Sequence, residues 1–292
     1  MRFRKIYIEI SNICNLNCDF CHGTKRKPEN MPAETFDGIA RQLRHMTEQV
    51  HLHVTGEPLL HPAFQRIIQI CAKYNLPAEI TTNGTLMKTV NAESLFNPVV
   101  RQVNISMHAL ADNDTDRIGE IFDFTREAFI RHPDLYINYR LWNLETPQES
   151  LESEKNEWIH KKISEEFGAA IPVAGHSAGR KSRNLLNRLY LHLDTCFTWP
   201  EINSGKPYRT QGRCHALKNQ AAILVDGTVV PCCLDKEGIM DLGNCLAEPF
   251  ESIIGGMRAS KITKGFNEGC LSEELCKHCS YSQRFSPSFQ SV

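Results

Sequence analysis

The placement of twelve cysteines in 292 residues constrains this chain more than any other feature. Cys14, Cys18 and Cys21 sit together near the start, and Cys214, Cys232, Cys233, Cys245, Cys270, Cys276 and Cys279 lie in the last third. Only Cys71 and Cys196 stand apart. In a reducing compartment, cysteines at such short spacings read as metal ligands rather than disulfide partners. The start of the chain supports that compartment. Met1-Arg2-Phe3-Arg4-Lys5-Ile6 leads straight into a strand-like segment with no apolar signal core, and no apolar run reaches bilayer length. A cytoplasmic location without membrane attachment is the expectation. A net charge of −1 gives no global attraction to nucleic acid.

Strand-like and helical patterns alternate over the first two-thirds. Residues 5–10, 51–54, 78–82, 101–107, 135–142 and 189–193 read as strands. Phe36, Ile39, Leu43 and Met46 repeat at helical spacing, as do Phe64, Ile67, Ile68 and Cys71, and 118–130 reads as a third helix. The segment 144–188 contains a charged helix around 151–167 and a loop rich in Gly, Ser and Arg, with no assigned place. The alternation predicts an α/β fold with a parallel sheet, an open partial (β/α)6 TIM-like barrel over 1–200. Chemistry in such folds gathers at the C-terminal strand ends.

From residue 221 the texture changes. Apolar runs at 222–225 and 228–230 flank Asp226-Gly227, a hairpin signal, and Phe250, Ile253, Ile254 and Met257 mark a helix face. Residues 201–292 are expected to form a small β-hairpin/helix domain, stapled by a metal cluster.

The first three cysteines follow the first strand in the order Cys14-Asn15-Leu16-Asn17-Cys18-Asp19-Phe20-Cys21. One loop with three thiolates can wrap a cubane from one side and leave the fourth iron open. Zinc with His22 as fourth ligand is the competing reading. It is disfavoured by the spacing and by the adjacency of His22 to Cys21. This CxxxCxΦC loop, with Phe20 as the aromatic residue, resembles that of the radical S-adenosylmethionine (SAM) superfamily. The resemblance implies a [4Fe–4S] cluster that binds SAM through its amino and carboxylate groups, and one-electron cleavage to a 5′-deoxyadenosyl radical that abstracts hydrogen from substrate. Thr55-Gly56-Glu57-Pro58 resembles the superfamily's GGEP turn, with Thr55 in place of the first glycine, and the resemblance places Gly56 and Glu57 at SAM. It also places Ser106 and Arg140 on SAM, the latter at the carboxylate, and Phe20 near the adenine.

Cys214, Cys232, Cys276 and Cys279 bracket the hairpin and end in a CxxC pair. The cysteines alone suit structural zinc as well as iron–sulfur. With Asp226-Gly227-Thr228-Val229-Val230-Pro231-Cys232 and Leu242-Gly243-Asn244, the stretch resembles the twitch or SPASM extension of the same superfamily, which implies a second, auxiliary [4Fe–4S] cluster fully ligated by protein. Cys233, Cys245 and Cys270 are spare on this reading. Cys71 reads as packing. Cys196 follows the last strand and is a candidate hydrogen donor, with a packed loop thiol as the competing reading. His51 and His53 read as a polar strand face, and His108 as pocket lining without a catalytic role.

The function expected is radical hydrogen abstraction from a peptide or protein side chain, with SAM and a low-potential donor such as flavodoxin or ferredoxin as partners. A small-molecule dehydrogenase or epimerase is the alternative, and a non-catalytic zinc or iron–sulfur scaffold the third. The thirteen residues before Cys14 lead to the expectation that no leader-peptide-binding domain precedes the loop. Anaerobically reconstituted protein is expected to hold about eight irons with matching sulfide, two cubanes per chain; zinc without labile sulfide would contradict both cluster assignments.

Overall fold

The structure, a computed structural model, describes residues 2–21, 23–144, 154–169, 181–195, 198–203, 205 and 207–285. In chain order the elements are β1 (Lys5–Ile8), α1 (Ala33–Leu43), β2 (Val50–His51), α2 (Phe64–Lys73), β3 (Ala78–Thr82), α3 (Ala92–Leu95), β4 (Val100–Ser106), α4 (Thr115–Arg131), β5 (Tyr136–Leu144), α5 (Glu154–Phe167), β6 (Ser182–Leu186), β7 (Leu189–Thr195), β8 (Gln220–Ile223), β9 (Val229–Val230), α6 (Phe250–Gly255), α7 (Met257–Glu268) and α8 (Glu274–Lys277). The fold is α/β, with mixed β-structure and flanking helices. Two compact units are present, one of residues 1–77 with 197–292, the other of residues 78–196. Among the described residues no helix is long and apolar enough to cross a membrane.

In the first unit β1 is central. It pairs in parallel with β2, Tyr7 opposite His51, and in parallel with β8, Ile6 opposite Ala221. β8 turns back into antiparallel β9 through Asp226-Gly227, where Gly227 takes φ +89°. The C-terminal hairpin therefore extends the edge of the first strand. Phe250 of α6 meets Phe3 edge-on, ring centroids 6.0 Å apart, both fully buried. Gln42 of α1 reaches the same region. It donates to the Cys245 carbonyl at 3.2 Å and accepts from the Phe250 N–H at 2.8 Å.

In the second unit β3, β4, β5 and β7 pair in parallel, with Ile80 opposite Val103, Ile105 opposite Tyr139, and Tyr139 opposite Leu191. One face is apolar: Ile80, Val103, Ile105, Ile137, Tyr139, Leu141, Leu189 and Leu191 are fully buried. Tyr139 packs on Phe122 of α4 and Phe167 of α5, and its hydroxyl shares a 2.6 Å hydrogen bond with Thr125. Asp114 caps α4 by accepting the Arg117 N–H, so that helix starts where its apolar stripe begins.

Three expectations are corrected. The helix expected through Phe250 and Met257 is two helices, because Gly255-Gly256 lowers helix propensity and Gly256 is extended at ψ 167°. The second strand ends at His51, because the chain then bends to bring Gly56 against the backbone of Ser11 and Asn12. The strand series is not wholly parallel. β6, unforeseen within 144–188, pairs antiparallel with β7 through a tight turn in which Asn187 takes φ +49°. Its Ser-Arg-Asn-Leu-Leu is an edge strand with alternating exposure, and it lacks the β-branched signature.

Phe250→Ala should destabilise the protein by about 3–5 kcal/mol in denaturant unfolding, the cost of emptying a fully buried aromatic site.

Candidate functional site

The cysteine loop is closed at its base by Asn12. Its side-chain amide donates to the Lys27 carbonyl (2.8 Å), its Oδ1 accepts from the Glu29 N–H (2.7 Å), and its own N–H donates to the Glu29 carbonyl (3.2 Å). Within the loop the Cys21 N–H donates to the Cys18 carbonyl at 2.9 Å and the Leu16 N–H approaches Cys14 Sγ at 3.5 Å. All three thiols are free of disulfides; Cys14 is exposed and the others half-buried. Phe20 is exposed. The Thr55–Pro58 turn lies against the start of the loop, the Glu57 N–H donating to the Ile13 carbonyl at 2.8 Å. Gly56 has φ +73°, and a Cβ there would lie 2.5 Å from the Ser11 carbonyl oxygen and 2.9 Å from Asn12 Cα. Glycine alone fits this approach. Glu57 is buried and accepts the Leu59 N–H at 3.1 Å.

One carboxylate organises this region. Glu9, at the exit of β1 and fully buried, accepts two close contacts from Arg26 Nη2 (2.6 and 2.8 Å). It also accepts the Thr55 N–H (3.2 Å), the Thr55 hydroxyl (2.7 Å) and the Val225 N–H (3.1 Å). Thr55, the departure from the glycine pair, thus supplies a hydroxyl that the buried carboxylate uses. A charge buried this deeply requires such a set of donors.

The second unit carries a polar face opposite its apolar one. Arg140 of β5 points Nη1 at Thr81 Oγ1 (3.3 Å) and Nη2 at Glu79 Oε1 (3.5 Å), and its guanidinium lies 4.6 Å from the Trp142 ring centroid. Asn104, fully buried, donates to Glu79 Oε1 (2.7 Å) and accepts from Gln102 and Asn138, each at 2.9 Å. His192 of β7 meets Trp142 edge-on at 5.6 Å, and burial followed by the Arg140 charge lowers its pKa. Ser106 ends β4, half-buried. His108 follows it and is buried, Nδ1 3.0 Å from the Arg140 carbonyl; burial pulls its pKa down to about 4.

Cys214, Cys232, Cys276 and Cys279 line one cavity, walled chiefly by apolar side chains such as Pro231, Leu234, Met240, Phe266 and Leu271. Burial pushes the Cys214 thiol up to about 11, and Cys232 and Cys276 higher; the neighbouring thiols add to the effect in each. Of the adjacent pair, Cys232 faces the cavity. Cys233 packs on Tyr7, Val54 and Leu224 and shares a hydrogen bond with Tyr7. Cys245 and Cys270 also lie off the cavity wall. Among the described residues no three His, Cys, Asp or Glu side chains converge on a single metal ion. Four thiols on the wall of one pocket are a donor set that fits a thiolate-bound metal centre, zinc or iron–sulfur.

Residues 8–142 match the model of the radical SAM superfamily, and residues 214–280 that of the SPASM iron–sulfur cluster-binding domain. The chain belongs to the radical SAM superfamily. This radical SAM chain is 32% identical over 119 residues to a probable GTP 3′,8-cyclase of Methanocella arvoryzae, over 40% of this chain and 37% of that protein. It spans about two-fifths of the length of the curated relatives it matches. Its fold is similar to that of BtrN, solved with AdoMet and 2-DOIA, with a TM-score of 0.63 at 17% identity over 96% of this chain and 94% of that one. It is also similar to SuiB of Streptococcus suis bound to S-adenosylmethionine, with a TM-score of 0.59 at 18% identity, over 95% and 72%.

The structure brings Cys14, Cys18, Cys21, Gly56 and Glu57 into one neighbourhood, and Cys214, Cys232, Cys276 and Cys279 around one cavity. Ser106 and Arg140 lie on adjacent strands, paired in register. Cys196 and His22 lie outside the described residues. Cys71 is fully buried on its helix, its thiol pushed up to about 12. His51 is buried, its ring 4.7 Å from that of Tyr7, rather than on a solvated face. Sequence reading missed Glu9, Arg26 and Glu79. The available signal was a carboxylate inside otherwise apolar parallel strands, which are usually apolar on both faces.

His108 gives a pH prediction for the radical SAM chain. Its folded pKa lies below the unfolded value, so the unfolded chain binds the extra proton between about pH 6.5 and 4. Stability present above pH 6.5 should fall as pH drops through that window, by a few kcal/mol at ~1.4 kcal/mol per unit. His108→Gln should flatten that part of the stability–pH curve measured by denaturant unfolding.

Proposed function

We propose that this chain is a radical SAM enzyme that uses Cys14, Cys18 and Cys21 to hold a [4Fe–4S] cluster and Cys214, Cys232, Cys276 and Cys279 to hold an auxiliary one. The carrying observation is the cysteine loop seated on the Gly56-Glu57 turn, at the exit of the strand that also borders the four-cysteine module. Cys14, Cys18 and Cys21 would hold the first cluster, and once loaded and reduced by an external donor it would supply one-electron reductive cleavage of SAM and, through that, hydrogen-atom abstraction from substrate. Gly56 lets the turn approach the loop, and its backbone with Glu57 receives the SAM amino group. Arg140, preset by Glu79 and Thr81, receives the carboxylate, and Ser106 a ribose or carboxylate oxygen. Phe20, exposed on the loop, covers the adenine. Full thiolate ligation suits the auxiliary cluster to electron transfer or support. The series of strands and helices is read as an open partial barrel with residues 201–292 as its auxiliary domain. Thiolate ligands of this kind suit a reducing cytosol and a low-potential donor such as flavodoxin or ferredoxin.

The substrate read here is a peptide or protein side chain. Similarity to SuiB, solved with its precursor peptide SuiA, and to a PqqA peptide cyclase of Gluconobacter oxydans supports that class. A small-molecule dehydrogenase or epimerase is the second reading. It is favoured by the near full-length correspondence to BtrN with its bound 2-DOIA. Cys196 is retained as a hydrogen donor only within an epimerase.

Replacing Cys14, Cys18 and Cys21 by Ala should abolish 5′-deoxyadenosine formation under dithionite and leave about four irons per chain. Continued SAM cleavage by that variant would end this reading. Substrate class is tested by 5′-deoxyadenosine turnover with peptides from neighbouring open reading frames against polyols and amino sugars.

A further inference from the structure

The turn after Cys232-Cys233 faces two ways. On one side Leu234 and Asp235 line the four-cysteine cavity. Asp235 is buried, and its carboxylate accepts the N–H groups of Ile239 (2.9 Å) and Met240 (2.7 Å), which fixes the turn. On the other side the next two residues hold the segment just downstream of Cys21. Lys236 Nζ donates to the Gly23 carbonyl at 2.5 Å, and the Lys236 carbonyl accepts from Arg26 Nε at 2.8 Å. The Glu237 carboxylate accepts the Thr24 hydroxyl at 3.0 Å and the Lys25 N–H at 3.1 Å.

Lys236 is only 4% exposed, unusual for an ammonium. Its Nζ also lies 5.2 Å from the Trp199 ring centroid, and the neighbouring Pro200 lines the cysteine cavity. A desolvated ammonium is costly unless its donors are used. Here they hold a loop rather than complete a core. Arg26 joins the same strap to Glu9 and thus to Thr55, so the bonds run from the cavity wall to the turn beneath the first cysteine loop.

We propose that Lys236 and Glu237 are positioning residues for the Cys14–Cys21 loop, and that filling the four-cysteine cavity sets the placement of that loop and with it the affinity for SAM. The inference rests on the reading of that loop as the SAM-binding cluster site. Ligation through Cys232 would fix the backbone entering the turn, and the strap would pass that order to residues 23–26. By linkage, SAM binding would favour auxiliary loading equally.

The test compares wild type, the strap variant K236M/E237Q, the cavity variant C276A/C279A and their combination, all reconstituted anaerobically. Iron and sulfide content, SAM affinity by equilibrium dialysis, and hydrogen exchange over residues 14–27 are measured. The strap variant is expected to keep about eight irons, to bind SAM roughly tenfold more weakly, and to exchange faster over 14–27. The cavity variant should do the same with about four irons. The combination should be no weaker than either single defect, because both act through one connection. Wild-type affinity and exchange in the strap variant, or additive losses in the combination, would overturn the proposal. Should K236M/E237Q lose first-site iron, T24V, which removes one bond of the strap, is expected to give a smaller change of the same sign, and no change would overturn it. Failure of wild type itself to bind SAM would instead sink the reading of the loop, while the exchange measurement still reports whether the strap orders it.

Discussion

A single buried carboxylate holds the first unit to its purpose. Glu9 leaves β1 with no access to water and collects Arg26, the amide and hydroxyl of Thr55, and the amide of Val225. Those donors come from the arm of the cysteine loop, from the Gly-Glu-Pro turn and from the hairpin that leads to Cys232. Together these bonds satisfy the carboxylate, and removing one partner of a buried pair typically costs about 3–5 kcal/mol. The carboxylate therefore specifies which segments meet, and the apolar core around it supplies the stability.

The same logic explains the second unit. A parallel sheet covered on both faces carries apolar side chains on both. Here one face, with Ile105 and Leu141 fully buried, packs on α4 and α5 through Tyr139, while the other presents Glu79, Asn104, Asn138, Arg140 and His192. Asn104 bonds on both its oxygen and its nitrogen, so the network is ordered before any ligand arrives, and Arg140 is aimed rather than free to search. Preorganised charge of this kind suits recognition of a small polar cofactor.

At the cysteine cavity, adjacency in sequence and equivalence in space part company. Cys232 and Cys233 are neighbours in the chain, yet one faces the cavity and the other is packed against Tyr7 and Leu224. The chain bends and turns here, just beyond β9, so the two side chains leave it in different directions. The raised thiol pKa values follow from crowding four sulfurs in an apolar pocket, and cationic iron would relieve that cost.

Much of this was written locally. Cys14, Cys18, Phe20 and Cys21, the Gly56-Glu57 turn, the Asp226-Gly227 hairpin and the six main strands were legible because each depends on spacing, periodicity or a turn residue within a few positions. The sequence was silent on β6, whose edge position lets it form without an apolar alternation, and ambiguous at Gly255-Gly256, where pattern outvoted propensity. Tertiary structure alone decided that β8 lies beside β1, that Thr55 answers Glu9, and that Lys236 reaches Gly23. Each of those depends on residues far apart in the chain, where no periodicity records which buried polar group will find which partner.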